Sequence, residues 1–144
     1  MKTDKKKSAE EFIRLIEILD RLRVSCPWDM KQTYETLRKL TIEETYELAE
    51  AISSGSDENI SKELGDIMLH VVFYAKIGEE RGKFTMEEVL RGINEKLVYR
   101  HPHVFSDVKV ADAKEVQDLL GWDEFVSISK IQEFVDLYDQ YRVS

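Results

Sequence analysis

Two short runs hold the residues whose types and spacing could do chemistry: Glu43-Glu44-Thr45-Tyr46-Glu47 and Glu63-Leu64-Gly65-Asp66. On a helix, residues three apart share a face, so Glu44 pairs with Glu47 and Glu63 pairs with Asp66. Each pair is set among apolar residues, Ile42, Tyr46, Leu48 and Ala49 in one run, Leu64, Ile67, Met68 and Leu69 in the other. An antiparallel hairpin of the two helices would bring the pairs face to face, where four carboxylates without a counter-charge are costly. A cation is their natural partner, and an all-oxygen ligand set favours a hard ion, Mg²⁺ with Mn²⁺ as a substitute, over zinc. A second reading needs no metal. Glu44 would bond back to Thr41 in a capping box, the acidic residues would serve the helix dipole, and Glu63 would pair with Lys62 or Lys96. Spacing leaves both readings open, and the apolar setting weighs toward the cation. Di-iron chemistry is excluded, because the residues three before His70, His101 and His103 are Ile67, Val98 and Arg100, none of them acidic.

The elements that must position these residues are helical. Ser8-Ala9-Glu10-Glu11 reads as a capping box before Phe12, Leu15, Ile16, Leu19 and Leu22, predicting a first helix that ends near Val24, ahead of Cys26-Pro27. A helical turn is expected over Thr33 to Leu40. Thr41-Ile42-Glu43-Glu44 reads as a second box opening a helix to about Ser53, followed by a loop to Asp57. Asp57 or Asn59 then caps a third helix to about Arg81, stopped by Gly82. Thr85-Met86-Glu87-Glu88 opens a fourth, ended by Pro102, with Val104 to Ala111 extended or irregular. Helical spacing returns at Glu115–Leu120 and through Trp122, Phe125, Ile128, Ile131, Val135 and Tyr138. No segment sustains strand alternation. The fold class is therefore all-α, a bundle of about four to five helices, with a catalytic region over residues 8–110 and a helical tail over 111–144.

With 144 residues and a net charge of −8, the chain is one acidic domain. That charge argues against stable nucleic-acid binding, which wants a basic face. It leaves room for nucleotide chemistry through a carboxylate-held ion. The single cysteine, Cys26, sits in a sequence that reads as a structural turn and points to a reducing, cytoplasmic compartment. Lys5, Lys6 and Lys7 read as a solvated tail with no apolar segment behind them, and no run is long enough to span a membrane.

Three further segments accompany the carboxylates: Cys26-Pro27-Trp28-Asp29 with Gln32-Thr33, Val71-Val72-Phe73-Tyr74-Ala75, and Arg100-His101-Pro102-His103-Val104-Phe105. With E-E-x-x-E and E-x-x-D in the same order, over roughly residues 12–110, the sequence resembles the MazG nucleotide pyrophosphohydrolase family. The resemblance implies a helical homodimer or homotetramer with active sites near subunit contacts. It implies hydrolysis of nucleoside triphosphates between the α- and β-phosphates, to monophosphate and pyrophosphate. Carried over by position, it makes Glu44, Glu47, Glu63 and Asp66 the Mg²⁺ ligands and Glu43 a supporting or water-orienting carboxylate. Glu47 thus counts among both the ligands and the catalytic residues. Lys96 and Arg100, four apart, match the family's phosphate-binding pair.

Other residues carry two readings each. Lys31 is a candidate substrate contact beside Met30, which stands where the family usually has a basic residue. Trp28 could stack on a base, or could be core beside Pro27. His70, one turn after Asp66, could face the site or be a satisfied core histidine, and His101 and His103 could bind metal or end a helix, with the second reading favoured for each. Gly65 serves either close packing or close approach of a ligand. Trp122-Asp123-Glu124-Phe125 departs from the family's Trp-Glu-x-x-Lys helix, which leaves base recognition open. Two rivals stand beside the enzyme reading: a non-catalytic helical interaction module, and a specialised dUTP- or dCTP-type pyrophosphatase. A phosphorelay on His70 is opposed by its apolar flank, Val71-Val72-Phe73.

Overall fold

The computed structural model describes residues 1–107, 109 and 111–120. These residues are helical and contain no strand. They divide into two compact units, Met1–Met86 and Glu87–Ser144.

Helix α1, Lys5–Ser25, begins earlier than the Ser8 box predicts. Asp4 is the cap, its carboxylate accepting from the Lys7 amide at 2.9 Å, while the Ser8 hydroxyl donates to the Asp4 carbonyl at 2.8 Å. The three lysines are thus exposed helical residues, a correction to the tail reading. Extended Cys26 ends α1, as the following proline requires, and one-turn α2, Pro27–Met30, starts with that proline at its first position.

The larger correction concerns α3, which is one helix from Tyr34 to Ser54. Its start is Thr33, capped reciprocally with Thr36 (Thr33 N–H to Thr36 Oγ1 2.8 Å, Thr36 N–H to Thr33 Oγ1 3.2 Å). Thr41 lies in mid-helix, where its hydroxyl donates to the Leu37 carbonyl at 3.0 Å, and the box expected there does not exist. Burial of Leu37 and Leu40 on one stripe favours carrying the helix straight through. Gly55, at φ 74°, closes α3, and Ser56, rather than Asp57 or Asn59, caps α4, Asp57–Glu80, by accepting from the Asn59 amide. Gly82, at φ 66°, follows its end, as expected.

In the first unit α3 and α4 form an antiparallel hairpin, and α1 packs on α4. Leu19, Leu37, Val72, Phe73 and Ile77 are its centre, with Phe12, Leu15, Ile16, Tyr34, Leu40, Tyr74 and Met86 around them. Each such side chain contributes about 1.5–3 kcal/mol on burial. Arg23 ties α2 and the Gln32 turn to this core. Its Nε donates to both Glu80 oxygens, at 3.0 and 2.9 Å, and its Nη1 to the Asp29 and Gln32 carbonyls, at 2.7 and 2.8 Å.

The second unit contains nearly all of α5, Met86–Arg100, then α6, Pro102–Phe105, and α7, Ala113–Leu120. Helix α6 puts a turn where the start of an irregular stretch was expected, because Pro102 can begin a helix as well as end one. The helix expected through Trp122 to Tyr138 lies outside the described residues.

Two glycines of α4 should respond oppositely to alanine. At Gly78 a methyl group would stand 2.5–2.8 Å from the Phe84 ring, whereas at Gly65 nothing lies within 4 Å. Gly78→Ala is expected to destabilise by about 1–3 kcal/mol in urea unfolding, and Gly65→Ala to stabilise by up to about 1 kcal/mol. Equal responses would contradict this packing.

Candidate metal centre

The α3–α4 hairpin brings the two acidic runs together. Glu44, Glu63 and Asp66 each offer a carboxylate oxygen, and these lie within 4.8 Å of one another. Glu63 is buried, 8% exposed, and the other two are half-buried. Oε2 of Glu44 and Oε2 of Glu63 are buried with no hydrogen-bond partner. Water cannot easily reach such oxygens, so leaving them unmatched costs free energy that a cation would remove. The donor set is all oxygen, and the three carboxylates converge, so these residues fit a hard divalent ion.

The electrostatics carry the same signature. Burial, then contact with Glu63 and the charges of Glu47, Asp66 and Glu63, push Glu44 up from its usual 4.5 to about 7. Glu47 is raised too, first by burial and then by the charge of Glu63, although the residue as a whole is exposed and only its carboxyl end meets the cluster. Lys62 approaches Glu63 only to 4.0 Å and is itself 73% exposed, so it offsets little of this charge. The cap reading of Glu44 falls with the missing box at Thr41.

The remaining expected residues are placed as follows. Glu43 is half-buried on α3, about 100° round the helix from Glu44. Trp28 is 54% exposed on α2, which corrects its core reading and leaves the indole face open. Lys31 caps the end of α2 with an exposed side chain. Lys96 and Arg100 stand on α5, the first exposed and the second half-buried. Cys26 joins α1 to α2 as a structural turn, its carbonyl accepting from the Met30 amide at 2.9 Å. His70 is bonded through Nδ1 to Thr41, the satisfied core role expected of it. Gly65 has no close neighbour, so among the described residues close packing does not explain it.

Sequence reasoning missed the polar groups that hold the scaffold, chiefly Arg23, Gln32 and Thr41. Gln32 is 8% exposed, its amide donating to the Trp28 carbonyl at 2.8 Å and its Oε1 accepting from Thr36 at 2.9 Å. The adjacent polar pair Gln32-Thr33 before a helix was the available signal.

Comparison with known proteins places this geometry in context. A family model described as the MazG nucleotide pyrophosphohydrolase domain matches residues 32–105. The chain is 49% identical over 110 residues to the nucleoside triphosphate pyrophosphohydrolase/pyrophosphatase MazG of Thermotoga maritima, covering 75% of this chain and 43% of that protein. It is 39% identical over 123 residues to the nucleoside triphosphate pyrophosphohydrolase of Escherichia coli K12, covering 83% of this chain and 46% of that protein. The chain thus spans less than half the length of these curated relatives. The crystal structure of a mazG-related protein from Thermotoga maritima is similar with a TM-score of 0.58 and 25% identity, over 91% of this chain and 98% of that one.

A carboxyl group whose pKa rises on folding binds its proton more tightly when folded. Its cost is therefore absent below the unfolded value and grows as pH rises from 4.5 through about 7. In chelator, the protein is expected to lose stability relative to Glu44→Gln across that window, and Mg²⁺ at high pH is expected to restore it by several degrees. Thermal unfolding with and without Mg²⁺ checks this, and parallel pH profiles for the two proteins would contradict it.

Proposed function

The chain belongs to the MazG nucleotide pyrophosphohydrolase family, and from that premise we propose that it hydrolyses nucleoside triphosphates to monophosphate and pyrophosphate with Mg²⁺. The observation that carries the proposal is the pair of buried, partnerless oxygens on Glu44 and Glu63, in carboxylates that cluster with that of Asp66. Glu44, Glu63 and Asp66 would hold the ion, with Glu47, exposed on the same helix as Glu44, as a fourth ligand. When bound, the ion supplies Lewis acidity at a phosphoryl oxygen and counter-charge for the pyrophosphate.

The chain's own residues do the rest. Glu43, one turn from Glu47 on the same side of α3, orients the attacking water as a hydrogen-bond acceptor. Lys96 and Arg100, one turn apart, donate charge-assisted hydrogen bonds to the phosphates and gain strength as charge moves to the leaving group. Exposed Trp28 offers a stacking face to the base, with Lys31 a further cation near it. The catalytic region is assigned to residues 8–110, with 111–144 as the C-terminal helical tail. No helix among the described residues is long and apolar enough to cross a membrane. We place the activity in the cytoplasm, in a homodimer or homotetramer that holds nucleotide and forms no stable nucleic-acid complex.

The test is product analysis with each common NTP and dNTP, with and without Mg²⁺, running Glu63→Gln and Glu47→Gln alongside. Monophosphate and pyrophosphate are expected, dependent on Mg²⁺ and reduced by roughly a hundredfold or more in Glu63→Gln. A broad substrate ranking separates a general enzyme from one restricted to dUTP or dCTP. Diphosphate with phosphate would overturn the cleaved bond. No turnover and no metal binding would leave the interaction module.

A further inference from the structure

Beside the carboxylates, α3 and α4 are joined by a polar contact that holds no cation. Thr41 precedes Glu44 by three residues and His70 follows Asp66 by four. In an antiparallel pair both steps lead the same way, so the contact lies one turn from the cluster. Thr41 Oγ1 stands 2.6 Å from His70 Nδ1, touches the Tyr74 hydroxyl, and donates to the Leu37 carbonyl at 3.0 Å. A hydroxyl has one hydrogen and two acceptor positions. With that hydrogen given to Leu37, both His70 and Tyr74 must donate to Thr41. Burial lowers the pKa of the half-buried His70 against the opposing charge of Asp66, which favours the neutral ring, and in that form this network puts its single proton on Nδ1. Tyr74 packs edge-on to His70 at 6.4 Å and against Tyr34 at 6.1 Å. One oxygen on α3 is thus saturated by two donors from α4.

Apolar contacts elsewhere along the hairpin tolerate small slides, whereas hydrogen bonds to a single atom do not. The neighbouring carboxylates repel when ionised and press the helices apart at that level. We propose that Thr41 and His70 are positioning residues for the metal centre, fixing the register of α3 on α4 so that Glu44 meets Glu63 and Asp66 at cation-binding distance. This rests on the metal-binding part of the function proposed above. Neither residue touches the ion; each acts through the carboxylate one turn away on its own helix.

The experiment is Mn²⁺ titration of the full chain by calorimetry, below the melting temperature, with thermal stability measured separately in chelator. Four variants separate the roles: Thr41→Val removes the hydroxyl, Thr41→Ser keeps it, His70→Asn keeps a donor near Nδ1, and His70→Gln does not. Thr41→Val and His70→Gln are expected to weaken Mn²⁺ binding by roughly tenfold. Thr41→Ser and His70→Asn are expected to stay near the parent protein. The Mn²⁺ concentration for half-maximal pyrophosphate release should shift by the same factor. Lower melting temperatures with unchanged Mn²⁺ affinity would overturn the inference and leave the contact structural. Should Thr41→Val not fold, equal affinities for His70→Asn and His70→Gln overturn it as well. A parent protein that binds no Mn²⁺ overturns the metal reading itself, and is seen before any variant is compared.

Discussion

Like charge held at close range is the constraint on which the rest of this structure depends. Glu44, Glu63 and Asp66 are kept within 4.8 Å although like charges at that range repel, and Glu44 shows the strain in its raised pKa. Within the cluster the ionised carboxylates repel, and only a carboxyl that keeps its proton can bridge Glu44 to Glu63. The holding comes from the hairpin's apolar seam, where Leu37 on α3 and Val72, Phe73 and Ile77 on α4 are buried with Leu19 of α1. A cation reverses the sign of the problem, turning a repulsive group of carboxylates into a chelate.

Two polar devices give that seam its geometry. Arg23 gathers Glu80 and the Asp29 and Gln32 carbonyls, so the α2 turn, and with it Trp28, is fixed on the end of the hairpin. Thr41 links the helices beside the acidic cluster. Both use directional bonds where apolar packing would permit sliding. The arrangement also keeps the open faces of the molecule apart from its fixed centre: Glu47, Trp28 and Lys31 remain exposed while Glu63 is buried.

The local reading failed where a short pattern had two meanings. Thr41-Ile42-Glu43-Glu44 has the form of a capping box, yet a threonine at that position serves equally well inside a helix if its hydroxyl bonds back to the preceding turn. The choice was made by Leu37 and Leu40, whose burial requires the helix to run on. Ser8 and Asp57 misled for a similar reason, since in each case a better acceptor, Asp4 or Ser56, stood just upstream. Helix type was legible because a period near 3.6 survives errors of a few residues. The starts of α1, α3 and α4 were not, because one hydrogen bond decides each, whereas their ends fell within a residue of expectation at Ser25, Ser54 and Glu80.

What the sequence determined by itself was the all-helical class and the placing of Glu44 with Glu47, and of Glu63 with Asp66, on one helix face each; the chemical type of ligand it only suggested. Those follow from residue type and helical spacing, which are local. Only the tertiary structure decided that Glu44 meets Glu63 and Asp66 across the hairpin while Glu47 stays at the exposed margin, that Trp28 is at the surface, and that His70 meets Thr41. Each of these depends on how one helix is rotated about its axis against another. That rotation is set by the whole buried seam at once, and no single stretch of sequence contains it.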